Sequence, residues 1–209
     1  MPGHPSGCSG FSRNGAVDNQ VLHFFVHHRR PGLTTVAQVV TMLGGSAFLV
    51  PLVAIAGLAF RAGRRSWTAL VLLGASYAGG EAFFQILKAV IRRPRPPAAL
   101  AIGHFAGTAL PSGHATLSVA VWGMLAALAA GAAPRFRSGV AAWAGAAVIV
   151  VLVGLTRLYL GAHWLSDVLA GWALGALWLA ALLVSTSRPW FSRRWPAFRS
   201  GSSSRSTAP

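Results

Sequence analysis

The sequence predicts an all-α fold, a multi-pass bundle of transmembrane helices, from three observations. Hydrophobic residues make up 54% of the 209 residues and charged residues only 10%, whereas charged residues are about 25% of a typical soluble domain. The mean hydropathy is +0.57. Five apolar segments reach the roughly 20 residues that a helix needs to cross a bilayer, and short arginine clusters lie between them.

The first 33 residues are predicted to lie outside the membrane-spanning part. Residues 1–16 are polar and rich in glycine and serine, which predicts a disordered N-terminus, and they lack the apolar core of a signal peptide. Residues 17–33 combine apolar side chains with histidine and arginine, which predicts a short amphipathic helix at the membrane interface. This segment is too short and too charged to span.

A membrane domain is predicted over residues 34–185. Its five spans are expected near residues 34–60, 67–91, 114–133, 139–158 and 164–184. The tail over 186–209 is rich in serine and arginine, so we expect it to be flexible and to lie against anionic lipid headgroups.

The arginine clusters predict an orientation in the plasma membrane. They follow the first, third and fifth spans, which puts them on one side, and the positive-inside rule makes that side cytoplasmic. Segments 92–113 and 159–163 then lie on the extracytoplasmic side. Arg92, Arg93 and Arg95 break the rule there, and an anionic substrate would explain their presence.

The charge balance excludes several functions. The net charge is +15, with 18 basic and three acidic residues, but the basic residues cluster between apolar runs, which favours lipid headgroups over nucleic acid. Asp18, Glu81 and Asp167 are too few for a two-metal phosphatase, which needs several clustered carboxylates. A single cysteine, Cys8, excludes a disulfide framework and a cysteine metal site. We therefore expect neither a metal nor another cofactor.

Three motifs fall at the predicted outer ends of spans: KAVIRRPRP at 88–96, PSGH at 111–114 and TRLYLGAHWLSD at 156–167. Lys88, Arg95 and Arg157 supply cations and Ser112 supplies a hydroxyl, a set that suits the oxygens of a phosphate group. The PSGH motif is expected to open a helix whose free N–H groups favour an anion, and Gly113 would let the backbone approach it.

Two side chains of these motifs are candidate nucleophiles. Ser112 lacks the G-x-S-x-G context of a nucleophilic serine. His163 and Asp167 are four residues apart, and we expect them on one helical face. A carboxylate there would hold one ring nitrogen and leave the other free to attack. His114 could then protonate the leaving oxygen and later activate water.

The set K-x6-R-P, P-S-G-H and [ST]-R-x5-H-x3-D resembles the three-part signature of type 2 phosphatidic acid phosphatases, the PAP2 superfamily. The matching residues are Lys88, Arg95, Pro96, Pro111, Ser112, Gly113, His114, Arg157, His163 and Asp167. Thr156 stands where the family usually has serine, and it keeps the hydroxyl. Membrane members of the family usually have six spans, so the resemblance also admits one more span than the five predicted.

The resemblance implies metal-independent hydrolysis of a lipid phosphate or polyprenyl diphosphate. The residues implied to bind phosphate are Lys88, Arg95, Ser112, Gly113 and Arg157. His163 would form a phosphohistidine, Asp167 would orient it, and His114 would act as acid and base. The short loop 97–110 leaves little room for a large soluble headgroup, which favours simple lipid phosphates.

Two other functions fit part of the pattern. A vanadate-dependent haloperoxidase shares the phosphate-site residues, but such proteins resemble soluble bundles and do not have apolar spans. A non-catalytic lipid-binding protein would not need the complete motif set. Of the remaining polar residues, Arg93 fits a phosphate contact and a headgroup contact equally. Glu81 fits structural pairing better than a catalytic role, and His104 fits a solvated side chain.

Overall fold

The structure, a computed structural model, describes residues 15–64, 67–132 and 135–187. Within these ranges it contains seven α-helices and two short 3₁₀ helices, and no strand. The α-helices are α1 (Ala16–His27), α2 (Pro31–Thr41), α3 (Ser46–Arg64), α4 (Thr68–Ile91), α5 (Gly113–Ala132), α6 (Phe136–Tyr159) and α7 (Leu165–Ser187). The predicted all-α bundle is confirmed. The predictions for residues 1–14 and 188–209 lie outside the described residues.

Helices α3 to α7 are long and apolar enough to cross a membrane, which agrees with the prediction of five spans. Large apolar side chains on these helices face outward; Ile55, Val90 and Leu177 are 68%, 74% and 70% exposed. In water such surfaces would be costly, whereas lipid tails solvate them.

The predicted start of the first span, residue 34, is wrong. The segment is broken by the 3₁₀ helix Met42–Gly44 and by the extended backbone of Gly45, and the apolar span runs over Ser46–Gly63. The break is packed tightly, since a Cβ on Gly44 would lie 2.6 Å from Val153 Cγ1. Trp122 Nε1 donates a hydrogen bond to the Leu43 carbonyl there.

Helix α5 lies at the centre of the bundle. Half of its span is buried, against 17–28% for the other four spans. The main core lies between α3, α4, α5 and α7 and consists of Leu49, Val53, Leu72, Leu73, Phe84, Leu117, Val121, Met124 and Leu179. Helix α5 has no polar face, as expected for a membrane helix whose surface meets only other helices and lipid.

Two glycines on α7 allow it to approach α5 closely. A Cβ on Gly171 would lie 2.7 Å from the Ser112 carbonyl oxygen, and one on Gly175 would lie 2.5 Å from the Thr116 carbonyl oxygen. Because these neighbours are backbone atoms, they cannot rotate away. Small residues four apart are a common device for close helix packing in membranes.

We expect Gly175→Val to lower the unfolding free energy by about 1–3 kcal/mol, because the valine would force α7 away from α5. Thermal unfolding of the purified protein in detergent measures the loss. Gly145→Ala on α6 is the matched control, since a Cβ there meets no atom within 4 Å and alanine favours the helix by about 0.5–1 kcal/mol. A Gly175→Val protein as stable as the wild type would contradict the close-packing role.

The short helices α1 and α2 pack against the end of the bundle where α6 ends. Arg29 donates from Nε and Nη2 to the Tyr159 carbonyl oxygen, at 3.0 and 2.9 Å. The Arg30 backbone N–H donates to the Tyr159 hydroxyl oxygen. Leu22 of α1 packs against Ala109, in the segment between α4 and α5. These contacts hold α1 over the segments that carry the three motifs.

Candidate active site

The three motifs meet at one end of the bundle, around a cavity of about 710 Å³. Six of the eight predicted site residues line it: Lys88, Arg95, Gly113, His114, Arg157 and His163. The other two, Ser112 and Asp167, lie behind its wall and are fully buried. The structure therefore brings together side chains that are up to 75 residues apart in the chain (88 to 163).

The segment between α4 and α5 is fixed by hydrogen bonds to its neighbours. Lys88 Nζ donates to the Thr108 carbonyl oxygen, and the Ala109 N–H donates to the Arg93 carbonyl oxygen at 2.8 Å. Trp164 Nε1 donates to the Pro94 carbonyl oxygen at 3.0 Å. These contacts hold the K-x6-R-P segment against the start of α7.

The short connection from α6 to α7 carries His163. It turns at Gly161, whose φ of +67° favours glycine. The Ala162 N–H donates to the Arg157 carbonyl oxygen, and the Ile102 N–H to the Leu160 carbonyl oxygen. His163 lies two residues before α7 begins, so the expectation that His163 and Asp167 share a helical face is wrong. The turn brings them together because Asp167 lies in the first turn of α7.

His163 is buried between a carboxylate and a guanidinium group. Its Nδ1 lies 3.5 Å from Asp167 Oδ2, longer than a strong hydrogen bond. Its Nε2 lies 3.2 Å from Arg95 Nη1. Arginine can only donate, so Nε2 must accept, and the neutral ring then carries its proton on Nδ1, toward Asp167.

Burial, with a smaller contribution from the charges of Arg157 and Arg95, lowers the pKa of His163 to about 4, against the opposing effect of Asp167. The ring is therefore neutral at pH 7, with an unprotonated Nε2 that accepts from Arg95. The same burial lowers the pKa of the Arg95 guanidinium, and Asp167 opposes this shift.

Asp167 is held by donors on both of its oxygens. Oδ1 accepts from Arg93 Nη1 at 2.8 Å, and Oδ2 accepts from the Trp164 N–H at 2.9 Å. Its carbonyl oxygen accepts from the Ser112 N–H at 3.0 Å, which ties α7 to the start of α5. The carboxylate thus has a defined orientation before any ligand enters.

Four cationic side chains line the cavity, those of Lys88, Arg92, Arg95 and Arg157. Arg95 donates from Nε to the Gly107 carbonyl oxygen and from Nη1 to the Ala162 carbonyl oxygen. Arg157 is 4% exposed and donates from Nη1 to Thr41 Oγ1. Its Nε is buried without a hydrogen-bond partner among the described residues. With Lys88, these groups provide donors for an anion at the cavity wall.

The PSGH motif opens α5, as predicted, with Gly113 as its first residue. A Cβ on Gly113 would lie 2.9 Å from the ring of Phe84, so glycine is required for packing as well as for space at the cavity. The Ser112 hydroxyl is buried and has no hydrogen-bond partner among the described residues. His114 lines the cavity beside the glycine break, where a Cβ on Gly45 would lie 3.3 Å from His114 Nε2.

Three polar residues whose roles the sequence left undecided, Arg93, Glu81 and His104, differ in their contacts. Arg93 binds the carboxylates of Asp167 and Asp18, and its Nη1 also donates to Ser166 Oγ at 2.6 Å. Glu81 lines the cavity and accepts a hydrogen bond from Gln85 at 2.9 Å. His104 also lines the cavity wall.

Sequence reasoning missed Asp18 as a neighbour of the site. The one signal was its rarity, because the chain has three acidic residues and Asp18 is the one that no motif and no span explains. Within the described part of the chain, no group of three or more His, Cys, Asp or Glu residues could hold a metal ion.

The chain is similar in sequence to one protein family and to individual phosphatases. The family model of the PAP2 superfamily matches residues 69–191. Phosphatidylglycerophosphatase B of Bacillus subtilis (strain 168) is 35% identical over 165 residues, 78% of this chain and 79% of that protein. Decaprenylphosphoryl-5-phosphoribose phosphatase of Mycolicibacterium smegmatis is 36% identical over 146 residues, 68% of this chain and 73% of that protein.

The fold has a solved counterpart. The crystal structure of a transmembrane PAP2-type phosphatidylglycerolphosphate phosphatase from Bacillus subtilis superposes with a TM-score of 0.77 at 31% identity. The match covers 82% of this chain and 86% of that one. The family model, these relatives and the five apolar spans lead to one conclusion: the chain belongs to the PAP2 superfamily and is a multi-pass membrane phosphatase.

Proposed function

We propose that this protein hydrolyses a lipid phosphate without a metal, through a phosphohistidine on His163. The observation that carries the proposal is the environment of that ring. Nδ1 points to a fixed carboxylate, while Nε2 points to Arg95 beside the cavity. A neutral imidazole held in this tautomer is a nucleophile whose unprotonated nitrogen lies beside a cation that can bind the phosphate.

In the first step, Nε2 of His163 attacks the phosphorus atom and the bond from phosphorus to the lipid oxygen breaks. His114, in its protonated form, gives its proton to that leaving oxygen. Lys88, Arg95 and Arg157 stabilise the charge on the non-bridging oxygens. The Nδ1 proton stays on the ring, where Asp167 stabilises the positive charge that the phosphorylated imidazole acquires.

In the second step, the neutral His114 takes a proton from water as the water oxygen attacks phosphorus. The P–N bond breaks, inorganic phosphate leaves, and Nε2 recovers its electron pair. Over the two steps the protein recovers its charge and protons, because the proton that His114 gives to the leaving oxygen is replaced by one from water.

The substrate class follows from the relatives and the cavity. The two relatives are named for a phosphatidylglycerophosphate and a decaprenylphosphoryl phosphoribose, and in both names a phosphate group accompanies a lipid. Aromatic and apolar side chains line the cavity beside the cations, including Phe84, Phe105 and Leu117. We favour a simple lipid phosphate, because the loop over 97–110, which lines the cavity with residues 104–108, is short.

We further propose that the cavity opens at the extracytoplasmic face of the plasma membrane, with α1 and α2 at the interface. Arg135 lies before α6, at the opposite end of that helix from the site, as the positive-inside rule requires. On α2, the apolar side chains of Leu33, Val36 and Val39 are exposed. An exposed apolar face on a short helix suits the boundary between headgroups and acyl chains.

Phosphate release from a lipid panel tests this function. Purified protein in detergent should release phosphate from at least one of phosphatidylglycerol phosphate, phosphatidate, and a polyprenyl phosphate or diphosphate. The rate should be unchanged within about twofold in excess EDTA, because no step needs a metal. No release from any of these lipids would overturn the proposal, and loss of release in EDTA would overturn the metal-independent mechanism. Bromide oxidation with vanadate would favour the haloperoxidase alternative.

A further inference from the structure

The clearest unexplained feature outside the motifs is Asp18, on α1. It is 6% exposed and lies outside residues 69–191, which the family model matches. Its Oδ1 accepts from the Ser166 N–H at 2.9 Å. Its Oδ2 accepts from Ser166 Oγ at 2.6 Å and from Arg93 Nη2 at 2.7 Å. Burying a carboxylate costs free energy unless it is paired and hydrogen-bonded, and the three donors to Asp18 meet this requirement.

These contacts continue directly to the proposed nucleophile. Arg93 binds Asp18 through Nη2 and Asp167 through Nη1, at 2.7 and 2.8 Å. Asp167 in turn faces Nδ1 of His163. A row of four largely buried side chains therefore joins α1 to the cavity: Asp18, Arg93, Asp167 and His163.

We infer that Asp18 is a positioning residue for the proposed reaction, which balances the charge of Arg93 so that Asp167 can support His163. This inference rests on the proposed function. With Asp18 present, the two carboxylates and one guanidinium carry a net charge of −1. Without it, Arg93 neutralises Asp167 alone, and the carboxylate would stabilise less of the positive charge on a phosphorylated imidazole.

Asp18 also supports the helix that carries Asp167. Ser166 lies in the first turn of α7, where backbone N–H groups have no partner within the helix. Asp18 Oδ1 accepts one of these N–H groups from a different helix. Burial tends to raise the pKa of Asp18, but the hydrogen bonds from Ser166 and the ion pair with Arg93 outweigh it and hold the pKa below its ordinary value. The carboxylate is thus ionised at neutral pH.

Asp18→Asn separates the two roles. Asparagine keeps an oxygen for the Ser166 N–H but removes the charge and puts an NH₂ donor, not an oxygen, toward Arg93. We expect kcat to fall by about 10- to 100-fold while KM changes less than about threefold, because the charge acts on the transition state. Orthovanadate, a phosphate analogue that can bond to Nε2, should bind about 10-fold more weakly, by the same mechanism.

Val21→Ala is the matched control on the same helix. Val21 packs against the cluster of Leu158 and Val168 and is not among the charged residues of the row. The Val21→Ala substitution should weaken the docking of α1 and so lower the midpoint of thermal unfolding. At temperatures where the variant is folded, its kcat and vanadate affinity should stay near the wild-type values.

Each result decides the role of Asp18. If Asp18→Asn lowers the unfolding midpoint like Val21→Ala but leaves kcat and vanadate affinity unchanged, Asp18 only docks α1 and the inference is wrong. Vanadate binding is measured without turnover. If the wild type bound vanadate but hydrolysed no lipid, the proposed function would fail, while a weaker vanadate affinity in Asp18→Asn would still support the positioning role.

Discussion

Replacing His163 with alanine is expected to lower lipid phosphate hydrolysis by about 10⁴-fold or more, because removing a nucleophile removes the covalent route entirely. Incubation with a phosphate-labelled lipid followed by rapid denaturation should trap label on the wild-type protein and none on His163→Ala. A phosphohistidine contains a P–N bond, so the trapped label should be lost in acid and retained in alkali.

His23→Ala is the control for the loss of a histidine side chain, because His23 is exposed on α1. Its activity should stay within about twofold of the wild type, as for most surface substitutions. Wild-type turnover in a folded His163→Ala protein would show that another group attacks phosphorus, and Ser112, with its unpartnered hydroxyl, would be the next candidate.

His114→Ala is expected to lower lipid turnover by about 10²- to 10⁴-fold, the usual contribution of an acid–base group. The loss should depend on the leaving group. A lipid alkoxide needs a proton to leave, whereas p-nitrophenolate does not. With p-nitrophenyl phosphate, the variant should therefore give a rapid burst of p-nitrophenol and accumulate phosphorylated His163, because only the second step still lacks its base.

His104→Ala is a useful comparison, since His104 lines the same cavity but has no part in either step. The His104→Ala variant should give no burst of p-nitrophenol, and its turnover relative to the wild type should be the same for both substrates. An equal loss on both substrates in His114→Ala, without phosphoenzyme, would mean that His114 supports the site structurally and does not transfer protons.

The fold class and most of the candidate site could be predicted from the sequence. Apolar runs of about 20 residues have few alternatives to a membrane helix, because a bilayer leaves no water to satisfy exposed backbone groups. Within each of the three motifs the functional residues lie close together in the chain. Because each motif falls at the outer end of a span, the sequence predicted that Lys88, His114 and His163 would meet. These inferences depend on local patterns, which a sequence displays directly.

The break before α3 could not be predicted in this way. Residues on both sides of it are apolar, so hydropathy does not mark it, and the pair Gly44-Gly45 fits both a turn and a membrane helix. The break is decided by close packing against Val153 and His114, which are more than 65 residues away in the chain. Likewise, the spacing of His163 and Asp167 predicted a helical pair, but a turn at Gly161 and hydrogen bonds to neighbouring segments decide their arrangement.

The sequence by itself thus determined the bundle of spans, their polar ends and the chemical groups of the three motifs, because each depends on residues close together in the chain. Only the tertiary structure decided the proton position on His163 and the partners of Arg93. The contact of Asp18 with Ser166 joins residues 148 positions apart. No periodicity or motif spacing extends over such a separation, and an ion pair between distant helices exists only once those helices have packed.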